Sequence, residues 1–187
     1  MMTHNSTAVA SLKQTILALL LLFVLPPITN AEVLTAEIAQ SLIDENGHAE
    51  IPNSYTTIGN NAFYGTLSLQ SIVIPDSMTS IGDYAFLGAT SLQSIVIPDS
   101  VTSIGFRAFF GATRLESVTL GSGVTSIGDD AFHFTTSLTS IVIPDSVTSI
   151  GGSAFSGATS LQSIVIPDSV TSIGGGAFAY SGLTSIV

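Results

Sequence analysis

Residues 91–105 read SLQSIVIPDSVTSIG, and residues 160–174 repeat the same fifteen letters 69 positions later. Within this stretch Ile95 and Ile97 alternate with Ser94 and Val96, a period-two pattern of β-branched residues that predicts a strand with the isoleucines facing inward. Pro98 lacks a backbone donor and ends the strand, and Pro98-Asp99-Ser100 supplies turn chemistry. Val101 and Ile104 return to the core, and Gly105 is expected to permit a bend. Ile104, Ala108 and Ala112 follow at spacing four, with Phe109 beside them, which predicts a short helical turn.

The same pattern extends along most of the chain. Ile-Pro recurs at 51–52, 74–75, 97–98, 143–144 and 166–167, with Leu120-Gly121 in the remaining register. Ala-Phe recurs with the same 23-residue step from Ala62-Phe63 to Ala177-Phe178. Six units therefore run 51–73, 74–96, 97–119, 120–142, 143–165 and 166–187. One unit alone cannot bury its Ile, Leu and Phe, because its two open ends are uncovered. Stacking at the strand spacing brings each Phe against the next unit's Phe and builds a column about 29 Å long. Identical stretches occupy identical environments, one coil after another.

Composition narrows the function. The sequence has 187 residues, of which 45% are hydrophobic and 9% charged, with a formal net charge of −10. Its basic residues are Lys13, Arg107 and Arg114, against 13 acidic ones. Nucleic acid is excluded as an expected partner, since the basic groove that it requires is absent. Lys13, the apolar run Ile16 to Leu25, Pro26-Pro27 and the small residues ending at Ala31 form a secretory signal peptide over residues 1–31. Cleavage is favoured over an uncleaved anchor because the run has about half the residues that span a bilayer. The mature chain then begins at Glu32, has a formal charge of −11 and carries no membrane span. It has no cysteine, so packing rather than disulfides must hold it.

The repeated unit IPDSVTSIGxxAFxGATSLQSIV resembles the BspA-like leucine-rich repeat, a family of secreted and surface proteins. The resemblance covers residues 51–187, and the lead-in Asn46 to Glu50 also fits. It implies a β-rich solenoid, a right-handed leucine-rich-repeat stack with its main sheet on one face, used for adhesion or protein recognition. The family often places Cys four residues after the repeat's first Ala; here Ala89, Ala112 and Ala158 stand there, which removes any role based on thiols.

Residues 32–50 are not a repeat. Thr35 is expected to cap a short helix with Glu37 in its first turn, Leu34, Ile38 and Leu42 sharing one face, and Asn46-Gly47 ending it. This segment is read as an N-terminal cap on the first coil. At the other end Ser185-Ile186-Val187 lies inside a strand. If no further segment follows, this edge is a candidate for self-association.

No nucleophile elbow or phosphate loop occurs, and the turn serines have no histidine repeating beside them. The expectation is a non-catalytic protein without a cofactor or metal. Asp76, Asp99, Asp145 and Asp168 share one register, with Asn53 and Ser122 interrupting the row. A solvated turn role is favoured there over calcium, which wants six to eight oxygens that nothing else supplies. Val73, Val96, Val142 and Val165, with Thr119 in their row, should project outward from the sheet.

Core positions are fixed by packing, so information about a partner must sit where the units differ. The two residues between Gly and Ala vary most: Asn60-Asn61, Asp83-Tyr84, Phe106-Arg107, Asp129-Asp130, Gly152-Ser153 and Gly175-Gly176. The one or two residues after Phe vary too. Tyr84, Phe106, Arg107, Phe110, His133 and Phe134 are the candidate partner-binding residues, because aromatics and Arg dominate recognition hot spots. Burial of some of these rings on the helical side of the core is the competing expectation. The function expected is a secreted or cell-surface protein for protein or glycan recognition or adhesion; the alternative is a self-associating structural module.

Overall fold

The structure, a computed structural model, describes residues 32–187. The signal-peptide reading of residues 1–31 lies outside them. Each 23-residue unit closes one coil, and each coil contributes to two parallel ladders rather than one.

The first ladder is made by β1 (Glu32–Leu34), β3 (Tyr55–Ile58), β5 (Ser80–Ile81), β7 (Ser103–Ile104), β9 (Ser126–Ile127), β11 (Ser149–Ile150) and β13 (Ser172–Ile173). They form one seven-stranded sheet in that order. Ile58 pairs with Ile81, Ile81 with Ile104, Ile104 with Ile127 and Ile127 with Ile150, each step one unit long. The second ladder holds the strands expected from the alternating pattern: β2 (His48–Glu50), β4 (Ser71–Val73), β6 (Ser94–Ile97), β8 (Ser117–Leu120), β10 (Ser140–Val142), β12 (Ser163–Ile164) and β14 (Ser185–Ile186). It is divided into the groups β2–β4, β6–β8–β10 and β12–β14. The continuous sheet is thus on the side of the short Ser-Ile strands, not on that of the longer alternating ones.

Alternation places side chains as the sequence requires. Ile95 and Ile97 are buried, while Val96 between them is 63% exposed and Val73, Val142 and Val165 also face solvent. Between the ladders runs the aromatic spine. Phe63, Phe86, Phe109, Phe132, Phe155 and Phe178 stack ring on ring, with centroids 5.0, 5.0, 5.1, 5.3 and 5.6 Å apart and planes within 5° of parallel. The first five rings are fully buried.

The helical turn expected in each coil does not form. Tyr84, Phe86 and Gly88 donate their N–H groups to the carbonyls of Phe106, Ala108 and Phe110 on the next coil, at 2.8, 2.7 and 2.8 Å. A helix would send those donors four residues back along its own chain. The cause is local. The residue before each Ala (Asn61, Tyr84, Arg107, Asp130, Ser153 and Gly176) has φ between 53° and 67°. A left-handed residue at that point interrupts the right-handed run and turns the following N–H along the stack. Spacing four in Ile104, Ala108 and Ala112 therefore marks a hydrogen-bonded turn.

Gly105 does not bend the chain through a left-handed φ. A Cβ there would lie 2.6 Å from the carbonyl carbon of Gly82 and 2.7 Å from the nitrogen of Asp83. Its lack of a side chain allows coils two and three to approach.

Residues 32–50 contain helix α1 (Ala36–Ser41). Thr35 is its N-cap by backbone geometry but makes no side-chain capping bond. Leu34 lies in β1 and pairs with Ile58, so it is not on the helix face. The helix stops before Asn46-Gly47, which belongs to a turn whose Asn46 and His48 N–H groups donate to Asp44 Oδ1. Ala49 pairs with Ile72. Although its sequence does not repeat, this segment adds a strand to each ladder, and a helix stands where other coils have turns. At the far end, Val187 donates to the Ile164 carbonyl at 3.1 Å and accepts from Ile166 at 2.7 Å. Among the described residues no helix is long and apolar enough to cross a membrane.

Candidate interaction surface

The turn side of the stack displays the varying residues as a grid. Equivalent positions on successive coils are linked by the cross-coil backbone bonds, so a 23-residue step in sequence becomes one coil step in space. Coil two contributes Asp83 and Tyr84, coil three Phe106, Arg107 and Phe110, and coil four Asp129, Asp130, His133 and Phe134.

All six residues predicted from sequence fall into one connected cluster. Tyr84 meets Phe106 edge-on at 5.2 Å. The Arg107 guanidinium lies over Phe106 at 4.8 Å and over Phe110 at 5.2 Å. Phe110 in turn contacts His133 at 5.0 Å and, edge-on, Phe134 at 5.8 Å. His133 and Phe134 are 4.2 Å apart. The alternative expectation, that these rings are core padding, is met only in part: four of the five rings are half-buried, and the fifth, Phe134, is 48% exposed. Tyr64, exposed on coil one, makes no ring contact with the cluster.

Asp130 joins the two sides and was not among the predicted residues. Its Oδ2 accepts from Arg107 Nε at 3.0 Å, and its Oδ1 accepts from His133 Nδ1 at 2.9 Å. Because an ionised carboxylate only accepts, Nδ1 is the protonated ring nitrogen. Burial pushes the Asp130 carboxyl up, but the bonds from His133 and Arg107 and their charges outweigh it and hold the group below its ordinary value. The signal was available: Asp130 follows Arg107 by one unit, so opposite charges share a register on adjacent coils. The Arg107 side chain stays 40% exposed.

Phe134 stands on strained backbone. Its φ is +57°, at the position where four other coils have Gly65, Gly88, Gly111 and Gly157, also at positive φ. For a bulky residue this conformation is an outlier that costs about 1–2 kcal/mol. The stack imposes it, since Phe134 N–H reaches the Ser156 carbonyl at 2.9 Å just as Gly111 reaches His133. The ring leans over coil five: a Cβ on Gly157 would be 2.5 Å from Phe134 Cδ1. Gly157 is thus a second residue that the sequence did not single out, and it makes room for the ring.

Phe106 also departs from its row. Asn60, Asp83 and Asp129 each use Oδ1 to accept the N–H one coil on, from Asp83, Phe106 and Gly152 at 2.8, 2.8 and 2.6 Å. Phe106 has no such acceptor to offer Asp129.

The other aspartate row lies elsewhere and is exposed. Asp99 Oδ1 accepts the N–H of Ser122 at 2.7 Å, the same cross-coil use of a carboxylate. Among the described residues no group of three or more His, Asp or Glu is placed to hold a metal ion.

The model of the BspA type leucine rich repeat region matches the sequence in six copies, over residues 45–155 and 79–187. No curated protein sequence matches it. Three solved structures are similar. A leucine-rich repeat protein of T. pallidum has 31% identity and a TM-score of 0.57, over 76% of this chain and 59% of its own. One from Eubacterium ventriosum has 30% identity and a TM-score of 0.68, over 72% and 37%. A leucine-rich cell surface protein of Faecalibacterium prausnitzii has 33% identity and a TM-score of 0.55, over 75% and 47%. The chain spans 37% to 59% of the length of these three relatives.

Proposed function

Because the chain belongs to the BspA-type leucine-rich repeat family, we propose that it is a secreted or cell-surface recognition protein without catalytic activity. In this reading it binds a protein partner through the cluster on coils two to four. One observation carries the proposal: an exposed aromatic, Phe134, is kept on strained backbone at a glycine position, amid Arg107, Phe110 and His133. Core packing does not call for it, since coil five closes in the same way with Gly157 there. Buried or half-buried aromatics with an Arg whose planar fork is already oriented are the usual anchors of protein interfaces. The cell-surface description of one similar structure supports an exported location.

The test uses residues 32–187 against a panel of immobilised extracellular proteins and glycans, read by biolayer interferometry. Wild type is expected to bind at least one protein. Replacing Phe106 and Arg107 together by Gly and Ser, the pair that coil five carries as Gly152-Ser153, should leave melting nearly unchanged and abolish that binding. A folded double variant that retains full binding overturns the reading.

A further inference from the structure

The aspartates beside the cluster do more than the coil requires. Asn60 shows that the structural task at this position, accepting the N–H of the next coil, is done by a neutral amide oxygen at 2.8 Å. Asp83 and Asp129 make the same bond with one carboxylate oxygen and add a negative charge that the bond does not need. They stand on either side of Phe106 in one row, two coil steps apart, hence separated by about 10 Å. Asp129 is exposed and Asp83 half-buried.

Charge near the cluster is therefore unbalanced in one direction. Arg107 is neutralised by Asp130. Among the described residues, Asp83 and Asp129 have no cation within salt-bridge distance. Over residues 32–187 Arg107 and Arg114 are the only Lys or Arg, against all 13 acidic residues of the sequence. A field of that sign attracts cationic partners and repels acidic ones before contact.

We propose that the occupant of this surface is a basic segment of a partner protein, with Lys or Arg side chains flanking an apolar one. The cations meet Asp83 and Asp129, and the apolar side chain packs on the rings of Phe106, Phe110 and Phe134. This rests on the reading of the cluster as a protein-docking surface. It adds the partner's charge and its arrangement.

A random peptide display library selected on residues 32–187 tests it, with two variants as counter-screens. Asp83→Asn with Asp129→Asn removes the charges and keeps the cross-coil acceptors, as Asn60 does, so it is expected to fold as wild type does. The expected result is enrichment of peptides with Lys or Arg around an apolar residue. Their affinity for wild type should fall with added salt, and at low salt it should be roughly two- to thirtyfold lower on the double Asn variant, the sum of two exposed ion pairs. Enriched peptides without basic excess that still lose binding to Phe106→Gly with Arg107→Ser would overturn the charge proposal and leave the docking surface standing. Enriched peptides that bind both variants as well as wild type, or no enrichment at all, would overturn both.

Discussion

Phe109 and Phe110 are neighbours in sequence and opposites in role. Phe109 is fully buried, and its ring lies parallel to Phe86 and Phe132 at 5.0 and 5.1 Å. Phe110 sits at the half-buried surface, tilted against His133 and edge-on to Phe134. The first is one instance of a residue that every unit repeats. The second occupies a position held by Tyr64, Leu87, His133, Ser156 and Ala179 in the other coils. Stacked coils thus separate two kinds of constraint: what closes a coil is invariant, and what decorates it is free to vary.

Truncation should expose that separation. Phe109→Ala removes a ring packed on both faces and is expected to cost about 3–5 kcal/mol, measured by urea denaturation. Phe110→Ala should cost about 1 kcal/mol or less, since its ring has one solvent side. Comparable losses at the two positions would mean that the cluster is part of the core. Gly105→Ala falls between the two in size. Its Cβ would press on the backbone of Gly82 and Asp83, and overpacking of this kind costs about 1–3 kcal/mol.

The same separation explains what the sequence makes legible. The 23-residue step, the Phe spine and the inward and outward isoleucines and valines follow from periodicity, because stacking copies each contact from coil to coil. The seven-stranded sheet is harder to read, since its strands are mostly two residues, Ser-Ile, too short for an alternation to show. The helical turn is misread for a related reason. Spacing four in Ile104, Ala108 and Ala112 is common to a helix and to this turn, and only the left-handed φ of Arg107 tells them apart. In the surface cluster, aromatic and basic character points to six residues that do meet. Asp130 does not stand out by residue type; its register with Arg107, one unit earlier, marks it as a partner.

A smaller effect comes from acid. A carboxyl held below its ordinary value of 3.8 in the folded chain adds stability above that pH, and loses it as pH falls through the lowered value. Asp130→Asn should therefore be less stable than wild type at neutral pH, by no more than about 1 kcal/mol given the exposure of Arg107. The gap should close below the folded-state value, in melting curves taken across the acid range. A gap that persists unchanged at low pH would show that the bonds of Asp130 matter through shape rather than charge.

The smallest expected change in stability is the most informative about function. Phe134→Gly restores at coil four the residue that coils one, two, three and five carry at the same left-handed φ. It relieves about 1–2 kcal/mol of backbone strain. It also gives up the contacts of a half-exposed ring with Phe110, His133 and Gly157, of roughly similar size. The two terms nearly cancel, so melting should move little in either direction. Binding should not be spared, because the ring is the one exposed aromatic of the cluster. A variant as stable as wild type but unable to bind would show that the strain is maintained for recognition. A variant that keeps its partner but loses stability would return Phe134 to the packing of the stack, and would leave Phe106 and Arg107 to carry the surface alone.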